Sequence, residues 1–197
     1  MKLSDRRAFL RDSLLLGIGA SVGVSVAPIA GQLFAPVQAQ DNAAGFEKRL
    51  RELNIELPPP PEPVAVYVPA VRSGNMLYAS GHGPKRSDGT LIQGKVGGDL
   101  TLEQGYQAAR VVGLNVLSSV RNTLGSLDRV VRLVKVLGMV NCTADFTQHP
   151  QVINGFSELM TKVFGEQHGK GARSAVGMGS LPSNIAVEIE AIFEVQS

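Results

Sequence analysis

The 197-residue chain has one cysteine, no tryptophan and three histidines. The single cysteine, Cys142, excludes an internal disulfide. It sits in an apolar stretch, the setting of a buried, inert thiol. A nucleophilic role would need a histidine partner, and no local motif supplies one. His82, His149 and His168 lack metal-ligand spacing, so no metal site is expected. The glycine-rich run Gly165–Gly171 lacks the lysine context of a phosphate-cradling loop. Charge of either sign is also scarce. Residues 1–39 hold four Lys/Arg and two Asp/Glu, which leaves fifteen of each, so the remainder is formally neutral. Neutrality and an aromatic content of 5% offer neither a phosphate-tracking groove nor a base-stacking platform. Nucleic acid is therefore not an expected partner. At 44% hydrophobic and 18% charged residues, a globular domain is expected rather than a disordered chain.

What is present starts with a leader. Arg6-Arg7-Ala8-Phe9-Leu10-Arg11 resembles a twin-arginine export signal, with Asp5 a slight departure. A long apolar run from Leu14 to Phe34 follows, and Val37-Gln38-Ala39 places small residues for cleavage before Gln40. Residues 1–39 are thus expected to engage the twin-arginine export machinery and to deliver a protein folded in the cytoplasm to the periplasm. An uncleaved run would be long enough to anchor in a membrane. Residues 40–63 form an arm, with a charged, helix-prone piece from Phe46 to Leu53 and a stiff extended run at Pro58–Pro63.

The domain proper is expected over 64–197. Val64–Val68 and Met76–Ala79 read as strands around a turn at Ser73-Gly74-Asn75, and Ser87-Asp88-Gly89-Thr90 reads as another turn. Thr101-Leu102-Glu103-Gln104 is a capping box opening a helix to Leu124, with Gly125 as its stop. One helical turn near Asp128 precedes a strand from Leu133 to Cys142, with Gly138 as a bulge candidate. Pro150 opens a second helix ending at Phe164, closed by Gly165. The fold class is α+β, with a mixed β-sheet and two helices packed on one face.

The C-terminal stretch carries the densest pattern. Ile185, Val187, Ile189, Ala191, Phe193 and Val195 alternate onto one strand face, and Glu188, Glu190 and Glu194 onto the other. Arg173 begins a strand-like run upstream, and Leu181-Pro182-Ser183-Asn184 reads as a turn. Pairing the two runs as a hairpin puts Arg173, Ala175, Gly177, Glu188 and Glu190 on one face. Arg173 and Glu188 would lie ~13 Å apart along the strands, with room for a small ligand between them.

Ala172-Arg173-Ser174-x-Val176, then Leu181-Pro182, then Val187-Glu188-Ile189-Glu190-Ala191 resembles the signature of the RidA/YjgF/UK114 family. Tyr67-Val68, Gly74-Asn75-Met76, Ser80-Gly81 and Asn154 before Phe156 keep the family's spacing over about Val64–Val195. The longer N-terminus and the insert around Gly83–Asp99 resemble the endoribonuclease L-PSP/chorismate-mutase-like branch. The resemblance implies a chorismate-mutase-like homotrimer with clefts between subunits, acting without a cofactor. It implies that Arg173 clamps a substrate carboxylate, for which a guanidinium is suited. It also implies that Glu188 activates water against an imine carbon, that Tyr67 reaches in from the neighbouring subunit, and that Ser80, Gly81, Asn154 and Ala175 contact the ligand. Ala175 stands where the family often has cysteine, which removes any thiol role. His82 stands where glutamine is frequent and adds a titrating group.

Three functions follow from these observations. An exported deaminase would hydrolyse small enamine or imine carboxylic acids to keto acids and ammonia. A non-catalytic trimer would bind a small carboxylate without turnover. An endoribonuclease fits worst, since neither an RNA groove nor a paired general acid and base is evident.

Overall fold

The structure, a computed structural model, describes residues 45–62 and 65–197, which belong to one compact unit. The expected export signal lies outside the described residues, as do the arm's first residues and Pro63–Val64. Among the described residues no helix is long and apolar enough to cross a membrane.

The chain forms α1 (Phe46–Glu52), β1 (Ala70–Ser73), β2 (Met76–His82), α2 (Leu102–Leu124), β3 (Val130–Asn141), α3 (His149–Gly169), β4 (Ala172–Met178) and β5 (Val187–Val195). The strands make one five-stranded sheet in the order β1-β2-β5-β3-β4, with β3 and β4 parallel and every other pair antiparallel. α2 and α3 cover one face, as the apolar positions of α2 predict.

Local chemistry fixes the helix ends. Thr101 Oγ1 accepts from the Gln104 amide at 3.2 Å and Gln104 Oε1 accepts from the Thr101 amide at 2.8 Å, so the capping box forms as expected. Gly125 closes α2 in the left-handed conformation. Pro150 occupies the first turn of α3. Gly165 interrupts α3 at φ 79°, and one further turn runs on to Gly169 rather than stopping at Phe164. The two helices approach closely at Gly155, where a Cβ would overlap the Tyr106 carbonyl of α2.

Three strand expectations need correction. Ala65–Val68, expected as strand, is bent, exposed chain, and the first strand is Ala70–Ser73. Gly138 is in register with both neighbours, while the β3 irregularities fall at Val130/Arg132 and Leu133/Lys135. Gly138 is instead the flat spot on which the Ile153 side chain rests, since a Cβ there would press on three of its atoms. The largest correction concerns the terminal hairpin, which does not form. β3 lies between β4 and β5, pairing Val136 with both Arg173 and Ala191 and Met139 with both Val176 and Glu188. The physical reason lies in β3, whose twelve residues carry apolar side chains on both faces and so favour a central place in the sheet.

This order divides the candidate residues between the two faces. Ala70, Ala79, Ala191, Val136 and Arg173 form one row across the helix-covered face, with Arg173 at its β4 end. Glu188, Met139 and Val176 form a row on the opposite face, which no helix of the described chain covers. That open face also bears Val71 and Tyr78, exposed by 53% and 43%.

Candidate active site

A β-bulge between Ala79 and His82 lifts Ser80 and Gly81 out of the β2–β5 ladder. The Ser80 hydroxyl donates to the Val68 carbonyl at 2.6 Å and its amide to the Pro69 carbonyl at 2.9 Å. These bonds bring the Tyr67–Pro69 segment beside the bulge. Glu188 reaches the same place from β5, its carboxylate directly over Gly81, where a Cβ would overlap Oε1. Tyr67, Ser80, Gly81 and Glu188 thus line one cleft of about 560 Å³.

The cleft's other walls come from the insert and from the turn before β5. Asn115, buried on α2, donates through Nδ2 to the carbonyls of Gly83 and Lys85, at 3.1 and 3.0 Å. This holds the insert's first residues along the cleft, with Leu91 beyond them. Pro182, Ser183 and Ile185 form the opposite lip. Ser183 and Asn184 both adopt positive φ there, 52° and 54°, a conformation in which serine is uncommon. It is held by Gln93 Nε2 donating to the Ser183 carbonyl at 2.6 Å and by Asn141 Nδ2 donating to Asn184 Oδ1 at 2.9 Å. Pro61 and Glu62 of the arm complete the lining.

The electrostatics suit a carboxylate poised to take a proton. Burial raises the Glu188 pKa above the ordinary carboxylate value, and the neighbouring Glu190 adds to the rise. His82 is buried behind the bulge, with Nδ1 2.6 Å from the Ser80 carbonyl and Nε2 2.8 Å from Ser119 Oγ. The carbonyl can only accept, so Nδ1 carries the proton and Nε2 accepts from the serine hydroxyl. Burial lowers the His82 pKa, opposed by that carbonyl bond. At neutral pH His82 is therefore an uncharged prop for the bulge rather than a charge in the cleft.

Arg173 is not in this cleft. Its Nη1 donates to Asn154 Oδ1 at 2.9 Å and to Ser157 Oγ at 3.1 Å, which aligns the guanidinium along α3. Leu133, Val136, Thr161 and Lys170 join it around a second hollow of about 220 Å³. Ala175, in the row of Gly138 and Ile189, packs against the core. The expectation that one face of a hairpin joins Arg173 to Glu188 is thus overturned. Within one chain the candidate residues form two groups, Tyr67, Ser80, Gly81 and Glu188 on one side and Arg173, Asn154 and Ala175 on the other. Tyr67 borders the cleft of its own Glu188.

Sequence reasoning missed Lys85, Asn115, Pro61 and Glu62 as cleft residues. Asn115 had a signal, being a polar side chain among the buried apolar positions of α2. It also missed a partner for Cys142, whose Sγ lies 3.4 Å from Nε2 of His149, seven residues along the chain. Among the described residues no group of three or more His, Cys, Asp and Glu is placed to hold a metal ion.

Comparison with known proteins bears on the whole arrangement. The family model described as "YjgF/chorismate_mutase-like, putative endoribonuclease" matches residues 47–191. Protein TCP17 of Trypanosoma cruzi is 43% identical over 148 residues, which span 75% of this chain and 92% of that protein. The crystal structure of Atu1372 from Agrobacterium tumefaciens superposes with a TM-score of 0.70 at 42% identity, over 77% of this chain and 92% of that one. A Shewanella oneidensis structure described as a "putative endoribonuclease" gives 0.72 at 28% identity, over 76% and 99%. The chain therefore belongs to the YjgF/RidA family, and its mixed α+β sheet is the fold of that family.

Proposed function

We propose that this protein is a deaminase of small enamine and imine carboxylic acids, assembled as a homotrimer in which Arg173 of one copy completes the Glu188 cleft of another. The observation that carries this reading is the division of the site. A carboxylate with a raised pKa occupies a cleft containing no arginine among the described residues, and an aligned guanidinium sits on the opposite face of the same sheet. The open sheet face, with Val71, Tyr78 and Val176 exposed, supplies a surface for copies to share.

In this mechanism Arg173 binds the substrate carboxylate bidentately and fixes the imine carbon near Glu188. Glu188 takes a proton from a water molecule as the water oxygen bonds to the imine carbon. The C=N electron pair moves to nitrogen, which receives that proton back from Glu188 to give a carbinolamine. Glu188 then takes the new hydroxyl proton and passes it to the nitrogen as the carbonyl forms and the carbon–nitrogen bond breaks, so that ammonia and a keto acid leave. A carboxylate whose pKa lies above its usual range is a better base for that first proton. No cofactor is needed. The leader supports a further proposal, export through the twin-arginine pathway to the periplasm.

The test is ammonia release from imino acids generated in place by an amino-acid oxidase, with wild type and Arg173→Ala side by side. Acceleration by wild type and none by the variant supports the deaminase. No acceleration across several side-chain classes, from a protein that still binds keto acids, would make it a small-carboxylate binding protein. RNA cleavage by nuclease-free protein, abolished in Glu188→Gln, would restore the endoribonuclease reading.

A further inference from the structure

The arm does more than link the leader to the domain. Its helix α1 is seated firmly, with the Phe46 ring edge-on to Phe164 at 4.8 Å and Leu50 in the core. Glu47 accepts from the Leu127 amide at 3.0 Å and donates its own amide to Asp128 Oδ1 at 3.1 Å. From there the chain runs along α2, where Ser118 Oγ donates to the Pro58 carbonyl at 2.6 Å. Four consecutive prolines, 58–61, have fixed φ and no amide hydrogens to spend elsewhere. A tether at Pro58 therefore positions the end of the run, and Pro61 and Glu62 lie in the cleft wall.

Glu62 changes the charge of that cleft. The acidic and basic side chains of the lining are Glu62, Glu188 and Lys85, two acids against one base. On the reading above, the arginine of another copy is matched by the ligand's own α-carboxylate, so the rest of the ligand meets an excess of one negative charge. A second carboxylate would be repelled there, whereas a neutral or cationic distal group would not. We infer that the N-terminal arm is a built part of the site and that Glu62 sets its charge selectivity, admitting acids with one carboxylate and turning away dicarboxylates.

Stable keto acids test this without relying on turnover. Calorimetric binding of 4-methyl-2-oxopentanoate and 2-oxoglutarate, acids of similar length differing in the second carboxylate, would be compared in the purified chain and in Glu62→Gln and Glu62→Lys. The expected wild-type preference for the monocarboxylate is about ten-fold. It should narrow roughly three-fold in Glu62→Gln and further in Glu62→Lys, through tighter 2-oxoglutarate binding, and the wild-type preference should fade at about 0.5 M salt. An unchanged ratio in both variants, or tighter 2-oxoglutarate binding by wild type, overturns the inference. If keto acids bind with the expected selectivity but no imino acid is turned over, the deaminase reading fails and the arm's role stands. Absence of binding to either acid overturns the inference, and ammonia release then decides the deaminase reading separately.

Discussion

The carboxylate of Glu188 lies directly over the bare Cα of Gly81, close enough that a methyl group there would collide with Oε1. The Gly81 backbone is not in the left-handed region, so alanine is conformationally tolerable and the collision is the whole effect. Gly81→Ala should displace the carboxylate and lower the deaminase kcat by at least about ten-fold, part of the ~10²–10⁴-fold expected of Glu188→Gln. Steady-state kinetics on one imino acid would check it. Wild-type kcat in the alanine variant, together with wild-type kcat in Glu188→Gln, would remove Glu188 from the chemistry.

Glu188 should also cost the fold stability. Its native pKa is raised, first by burial and then by Glu190, from an ordinary value of 4.5. Between the unfolded and native values the native state binds the proton more, so stability falls as pH rises through that window. Glu188→Gln removes the loss. The variant should melt above wild type at pH 7, with the difference closing below pH 4.5. Catalysis by the wild type should show an acid limb above the usual carboxylate range. Melting curves and a kcat profile across pH 4–8 would read both.

His82 carries the opposite sign. Burial lowers its native pKa below the ordinary 6.5. The unfolded chain therefore binds the proton first, and stability falls as pH drops through 6.5 toward the native value. Wild type should lose melting temperature more steeply between pH 6.5 and 5 than His82→Gln, which keeps a donor for the Ser80 carbonyl. Parallel curves would mean that the ring is hydrated or repacked on protonation.

The legible parts of this fold were those written in local chemistry. The capping box at Thr101 and Gln104, the stop at Gly125 and the alternation from Val187 to Val195 each depend on neighbours in sequence, and each appears as read. The misreadings concern partners distant in sequence. Leu181-Pro182-Ser183-Asn184 looks like a hairpin turn, and it is a turn, but the chain it redirects crosses to the far side of β3. The cue was in β3 itself, where Leu137 and Met139 add an apolar second face to Leu133, Val136 and Val140. Gly138 failed for a related reason, because its missing side chain accommodates Ile153 of α3 and not a bulge. Arg173 and Glu188 could both be singled out from their motif, but their separation onto opposite faces follows from strand order, which no short pattern encodes.

That separation gives the strongest prediction. If each working cleft takes Glu188 from one copy and Arg173 from another, Arg173→Ala and Glu188→Gln damage different halves of the site. Each variant alone should be almost inactive. Unfolded together at equal amounts and refolded, the two chains should assort at random within trimers. A cleft is intact when its Glu188 comes from the arginine variant and its Arg173 from the glutamate variant, which random assortment gives in about one quarter of clefts. The mixture should therefore recover roughly 25% of wild-type ammonia release. Sites contained within one chain cannot complement in this way, because every chain in the mixture lacks one of the two residues. Recovery near one quarter, rising and falling with the mixing ratio, would place the two residues on different subunits of one cleft. No recovery from trimers shown to be mixed would leave Arg173 as a structural partner of Asn154 and Ser157.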